Sequence, residues 1–203
     1  MRITKLSNKI SFSKTLVANC SVIKKDDTPY PCHIFSLDDD SDINYFDNVN
    51  NKQDWNNARY LRCLKQDLKT IKDDIADGYR IYSLETMDGD CLGYSEVVKR
   101  DNSVDEVLFL ETVPTQTFLN THKSKFKYIG ETLLAFMIKK SQQEKSNRVE
   151  VQPSILSTSF YENKCFFLPP KDDVDPHYIT RKRFHKLIQQ NEKHTHSSIE
   201  LIG

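Results

Sequence analysis

Apolar residues recur at spacings of three and four over Leu61, Leu64, Leu68, Ile71 and Ile75, with Arg62, Lys65, Lys69, Lys72 and Asp73 between them. That period predicts an amphipathic helix laid on an apolar surface. Asp54 is placed to cap its start and Asp77-Gly78 to end it. From Tyr79 the period changes. Arg80–Thr86 (RIYSLET), Cys91–Val98 (CLGYSEVV) and Glu106–Val113 (EVLFLETV) have strand composition, with Asp88-Gly89 as a hairpin turn and KRDNSVD as a second turn. An antiparallel meander is predicted. Alternation would put Glu111, Phe109 and Val107 on one face of its third strand, and Leu108, Leu110 and Thr112 on the other.

After the meander, Leu133, Leu134, Phe136, Met137 and Ile138 crowd a segment from Ile129 to about Glu144 almost all round. A helix with that pattern is buried, not half-exposed. Arg148–Gln152 (RVEVQ) reads as a further strand, Ile155 to Asn163 as a short helix, and Arg181 to Glu192 as a closing helix. At the start of the chain, Ser11 to Lys24 and His33 to Leu37 have strand-like content, separated by the loop KKDDTPYP. The Asp- and Asn-rich stretch from Leu37 to Asp54 lacks the glycine and terminal glutamate of a calcium loop, so a solvated loop is expected.

Composition narrows the class. At 203 residues the chain can bury a sizeable core. The 29 basic residues balance the 29 acidic ones, so no net field draws in nucleic acid or an anionic membrane. No apolar run approaches a membrane span, and no signal-peptide core follows the N-terminus, so a soluble, cytoplasmic protein is expected. The five cysteines, Cys20, Cys32, Cys63, Cys91 and Cys165, form no CxxC pair. They read as buried small hydrophobes in a reducing compartment, and no metal site is expected. His194 and His196 read as part of a polar tail.

The candidate chemistry lies where the basic segment Lys123, Lys125, Lys127 meets Gly130 and opens into the apolar helix. A helix's first turn carries unpaired N–H groups and the positive end of its dipole. A glycine there lets an anion approach the backbone. The segment reads as a cradle for a phosphate or diphosphate. The alternating lysines would also suit a solvated strand edge.

The order meander, basic cradle, buried helix, strand and then SFYENKCFF resembles the GNAT-type acyl-CoA N-acetyltransferases from Arg80 to Phe167. The family's cradle reads Gln or Arg, two residues, Gly, one residue, then Gly or Ala. Here those positions run from Lys125 to Gly130, with Tyr128 in place of the first glycine. SFYENKCFF resembles the family's FYEKxGF signature, with Cys165 where glycine often stands.

The resemblance implies an α/β (α+β) fold, a mixed but mostly antiparallel sheet flanked by helices. A single domain is expected over 1–203, its core about 80–168, with an N-terminal region over 1–79 and a C-terminal extension over 169–203. It implies acetyl transfer from acetyl-CoA to a primary amine by direct attack. Backbone N–H groups over Phe126, Lys127, Tyr128, Ile129, Gly130 and Glu131 would bind the diphosphate, helped by the Lys125 and Lys127 side chains. The strand Leu110, Glu111, Thr112 and Val113 would pair with the pantetheine arm and splay from Arg148–Gln152. Tyr161 would protonate the departing sulfur, and Glu111 would be the base, with Glu96 and Glu85 as alternatives.

Two other readings stand beside this one. The chain is alternatively an inactive module with the same fold that binds coenzyme A or a protein partner. The segment RKRFHK, Arg181 to Lys186, would also suit nucleic acid, but zero net charge argues for a closing helix with Phe184, Leu187 and Ile188 packed inward. The acceptor is not legible, and pairing with a second copy stays open.

Overall fold

The computed structural model describes residues 14–37, 79–101, 103–112, 125–172 and 175–202. The amphipathic segment over 61–75, most of the acidic stretch, Cys63, Val113 and Lys123 lie outside the described residues. Among the described residues the strands are β1 (Thr15–Lys24), β2 (Pro29–Leu37), β3 (Arg80–Thr86), β4 (Cys91–Asp101), β5 (Val104–Thr112), β6 (Phe126–Lys127), β7 (Arg148–Val151), β8 (His177–Thr180) and β9 (Glu200–Leu201). They form one sheet in the order β6-β1-β2-β3-β4-β5-β7-β8, with β9 also beside β1. Only β5 and β7 run parallel, so the sheet is mixed and mostly antiparallel.

The meander β3-β4-β5 follows the sequence pattern, with tighter turns. The β3–β4 turn closes through Thr86 N–H to the Asp90 carbonyl at 2.9 Å, and Gly89 supplies a positive φ of 88°. The loop expected between β1 and β2 is shorter than KKDDTPYP, because Pro29 and Pro31 belong to β2. β2 pairs with β3 only from Cys32 onward, so the proline half of the strand is an edge on that side and needs no N–H there.

Helix α1 (Ile129–Gln143) covers one face of the sheet. Leu133, Leu134, Phe136 and Ile138 are fully buried, and Phe136 meets Tyr82 edge to face with ring centroids 5.0 Å apart. Helix α2 (Arg181–Thr195) packs on α1 and buries Phe184 and Leu187. That second layer explains why α1 is apolar almost all round. Within RKRFHK, Phe184 packs inward while Arg181, Lys182, His185 and Lys186 are exposed.

Two expectations are corrected. The short helix expected over Ile155 to Asn163 starts later: 155–157 form a turn, and the helical stretch over 158–165 is mostly a π-helical segment, Phe160–Lys164. Strict alternation along β5 fails, because the register against β4 shifts between Glu96 and Val97: Glu96 pairs with Phe109 but Val97 with Val107. The extra residue, Leu108, is a β-bulge. Consequently Val107 does not share the face assigned to it. It lies in the core against α1, and Leu110 packs against that same cluster.

Candidate functional site

β5 has two unlike halves. Val104 to Val107 pair with Arg148 to Val151 of β7. The pairing stops there, at the bulge, and β5 runs on to Thr112 held by β4 alone among the described strands. A bulge bends and twists its strand, and Pro153 just beyond β7 has no N–H with which to extend a ladder. Among the described strands, the β7-facing backbone of Leu108 to Thr112 is therefore an edge of the kind that an extended ligand can extend.

The first turn of α1 reaches the end of that edge. A Cβ placed on Gly130 would lie 3.5 Å from Phe160 Cζ and 3.9 Å from Thr112 Cγ2. The helix N-terminus, the last residue of β5 and the π-helical segment that carries Tyr161 thus converge on one point. The helix has no side-chain N-cap bond, and Thr132 N–H, bonded to the Tyr128 carbonyl at 2.8 Å, is the first amide to close the helical ladder.

The approach to the helix is itself built by the sheet. Phe126 and Lys127 form β6 and pair with Lys24 and Ile23 of β1, and Lys25 N–H donates to the Lys125 carbonyl at 3.0 Å. This brings the β1–β2 turn, with Lys24, Lys25, Asp26 and Asp27, beside the cradle. Lys127 Nζ donates to Asp27 Oδ1 at 2.6 Å, which raises its pKa above the ordinary lysine value. The Lys127 ammonium is therefore already engaged with a carboxylate, although both groups are exposed and the pair is weak. Sequence reasoning missed the β1–β2 turn as part of the site. Its signal would have been long-range strand pairing, which local periodicity does not carry.

Tyr128 occupies the place of the family motif's first glycine, and it adopts the backbone glycine would: φ 66°, ψ 16°. For a bulky L-residue the left-handed region costs about 1–2 kcal/mol. Its ring stacks on His194, centroids 4.5 Å apart and planes 15° apart. His194 is in the last turn of α2, not in a polar tail, and its Nδ1 lies 2.9 Å from Glu131 Oε1. The Glu131 side chain is buried and also accepts from Gln190 Nε2 at 3.0 Å.

Tyr161 is 5 % exposed. Its ring meets Phe160 and Phe167 edge-on, at centroid distances of 5.1 and 5.5 Å. Burial is the main cause that raises its pKa well above the ordinary phenol value, followed by Cys165, so the hydroxyl stays protonated at neutral pH. The segment ends with Phe166 in the left-handed region at φ 63°, one residue after Cys165, where the family signature's glycine would stand. The described cysteines, Cys20, Cys32, Cys91 and Cys165, are buried free thiols.

Of the carboxylates, Glu111 is placed by its backbone in β5, opposite Tyr94. Glu85 and Glu96 lie on β3 and β4 and are 2 % and 1 % exposed. Glu85 forms an ion pair with Lys14 and accepts from Ser83 Oγ at 2.8 Å. Among the described residues no cluster of three His, Cys, Asp or Glu side chains is arranged to hold a metal ion, and no helix is long and apolar enough to cross a membrane.

Comparison with solved structures places this architecture. A chimera built on the spermidine N-acetyltransferase SpeG of Vibrio cholerae superposes with a TM-score of 0.53 at 11 % identity, covering 76 % of this chain and 98 % of its own. Mutant forms of SpeG from the same organism give 0.50 at 13 %, again over 76 % and 98 %. A protein from Desulfovibrio desulfuricans assigned to the GNAT acetyltransferases gives 0.52 at 10 %, over 73 % and 98 %. The fold is the GNAT fold. No protein-family model matches the chain, and no curated protein matches it by sequence. The likeness is thus one of architecture: the same fold is built here from a sequence only 10–13 % identical to those neighbours.

Proposed function

We propose that the protein is an N-acetyltransferase that moves an acetyl group from acetyl-CoA to a primary amine of a small molecule or protein by direct attack. The observation that carries this reading is the convergence of Gly130, Thr112 and Phe160 at the N-terminus of α1. It brings the first turn of α1, the last residue of β5 and the segment that carries Tyr161 together, which supports a single site for one extended ligand.

Each part has a role. The first-turn amides of α1 with Lys125 receive the diphosphate. The edge of β5 from Leu110 to Thr112, with Val113 next in the chain, takes backbone hydrogen bonds from the pantetheine arm. The amine nitrogen then forms a bond to the thioester carbonyl carbon. As the tetrahedral intermediate collapses, the carbon–sulfur bond breaks and the thiolate leaves. Tyr161, kept protonated by its burial, delivers the proton that makes it a thiol. Glu111 takes the proton from the amine, directly or through water. Residues 1–203 act as one domain in this reading, with the β1–β2 turn and α2 both beside the cradle.

The test is thiol release from acetyl-CoA over a panel of polyamines, amino acids and lysine peptides. Turnover with at least one amine, lost about a hundredfold in Tyr161→Phe with acetyl-CoA affinity kept, supports the assignment. Binding of acetyl-CoA with no acetyl transfer to any amine, and no difference between Tyr161 and Phe, would leave a binding module in its place.

A further inference from the structure

We infer that helix α2 sets the conformation of the diphosphate cradle, through a stack of His194 on Tyr128 that does the work a glycine would otherwise do. The inference about ligand affinity rests on the acyl-CoA reading above, while the inference about the loop's backbone does not.

Three observations meet here. Tyr128 is the N-cap of α1 and sits at φ 66°, a conformation that its own side chain opposes. No side-chain bond caps the helix at that residue. The ring is instead laid flat on His194, at 4.5 Å and 15°. His194 is in turn fixed by both oxygens of Glu131, at 2.9 and 3.2 Å from Nδ1.

Glu131 is on the first turn of α1 itself, 5 % exposed. Its carboxylate therefore ties the stacking partner to the very turn whose amides form the cradle. One face of α2 supplies the whole device. Gln190 Nε2 reaches Glu131 Oε2 at 3.0 Å and the Lys164 carbonyl at 2.6 Å, and Asn191 Nδ2 reaches Thr132 Oγ1 at 3.0 Å. The same helix thus grips the cradle on one side and the π-helical segment of Tyr161 on the other.

A glycine at position 128 would reach this backbone with no penalty and would need no partner. A tyrosine reaches it at a cost, which the stack on His194 offsets. Aligned aromatic rings attract through dispersion and quadrupole terms, and burying the two faces against each other removes apolar area from water. His194 is accordingly a positioning residue: it touches the loop, not the ligand.

The test is a double-mutant cycle between positions 128 and 194, read by thermal unfolding and by calorimetric titration with coenzyme A. His194→Ala is expected to lower Tm by about 3 °C and to raise the Kd for coenzyme A about fivefold. His194→Phe keeps a ring for the stack but loses the bond to Glu131, and is expected to recover most of the affinity. In the Tyr128→Gly background, adding His194→Ala should change Kd by less than about twofold and should lower Tm less than it does beside tyrosine. Equal losses in both backgrounds would overturn the inference, because His194 would then act on something other than the Tyr128 ring. Coupled unfolding in a protein that binds no coenzyme A would uphold the loop device and instead remove the acyl-CoA reading.

Discussion

The two ends of β5 are made on opposite principles. At the end that starts with Val104, every structural device closes the chain on itself. Asp105, 1 % exposed, accepts from Ser146 Oγ at 2.6 Å and from Arg80 Nη2 at 3.3 Å. Arg80 also donates to Glu144 at 2.7 Å, and the Ser103 carbonyl accepts from Asn147 N–H at 2.7 Å. The parallel pairing with β7 lies within this network. At the other end the ladder stops, the helix N-terminus has no side-chain cap, and two aromatic residues, Tyr128 and Phe166, hold backbone conformations that favour glycine. Left-handed backbone is not confined to that end, since Lys145 beside the Asp105 network has φ 65°. The contrast lies in the pairing, which is complete around Val104 and, among the described strands, stops on the β7 side at Leu108. In the proposed reading, stability belongs to the first end and ligand binding to the second.

That division can be broken at either end. The largest effect on folding is expected from Asp105→Ala, which removes the acceptor of a buried serine and one partner of Arg80. Urea unfolding should show a loss of about 3 kcal/mol, with the Kd for acetyl-CoA within about twofold of wild type while the protein is folded. A loss of affinity without a loss of stability would contradict the comparison. At the open end, Tyr161→Phe should do the reverse. Steady-state kinetics should give kcat about a hundredfold lower, with an unfolding midpoint that scarcely moves, because the phenol's hydroxyl has no hydrogen-bond partner among the described residues.

Alkaline pH sharpens the contrast with a smaller, graded effect. Burial pushes the Cys32 thiol up to about 12, and burial followed by the Cys32 charge raises Cys20. Burial also raises Cys91, Cys165 and the Tyr161 phenol. Each group's folded pKa lies above its unfolded one, so the stability it contributes is whole below the unfolded pKa. That stability fades as pH rises toward the folded pKa. Urea midpoints should hold from pH 7 to about 8.5 and fall above it. The rate should show no loss from Tyr161 ionisation below pH about 10. A rate falling with a midpoint near pH 8 would assign the proton to another group.

Much of this organisation was legible in the residues, and the reasons it was or was not are physical. β3 and α1 could be read almost to the residue because a single local period governs each: apolar strand composition closed by Asp88-Gly89, and an apolar helix with no polar face. β6 and β9 were not legible, since two-residue strands have no period of their own and exist only through partners far along the chain. The four-residue β8 was missed as well, although β7, equally short, could be read from the alternation RVEV. The bulge at Leu108 had no local signal either, and it undid the expected alternation. At the site, Tyr128 looked like a departure from the cradle motif. Its backbone has the left-handed conformation that the motif's glycine would suit, and its ring stacks on His194, 66 residues later. No local reading of the sequence links those two positions.

The smallest expected effect concerns Gly130. A Cβ there would make only ordinary contacts, at 3.5 and 3.9 Å, and alanine is the better helix former. Gly130→Ala should therefore raise the unfolding free energy by about 0.5–1 kcal/mol. A destabilised alanine variant would mean that the first turn of α1 is packed more tightly against Phe160 and Thr112 than the geometry gives.

The central claim is that the open end of β5 and the start of α1 hold an acyl-CoA. The direct measurement is calorimetric titration of the folded protein with acetyl-CoA, with desulfo-CoA and adenosine diphosphate beside it, on the wild type and on Lys125→Ala with Lys127→Ala. The account predicts micromolar binding of acetyl-CoA and desulfo-CoA, weakened about tenfold in the double variant and by added salt. A folded wild-type protein that binds none of the three would contradict it.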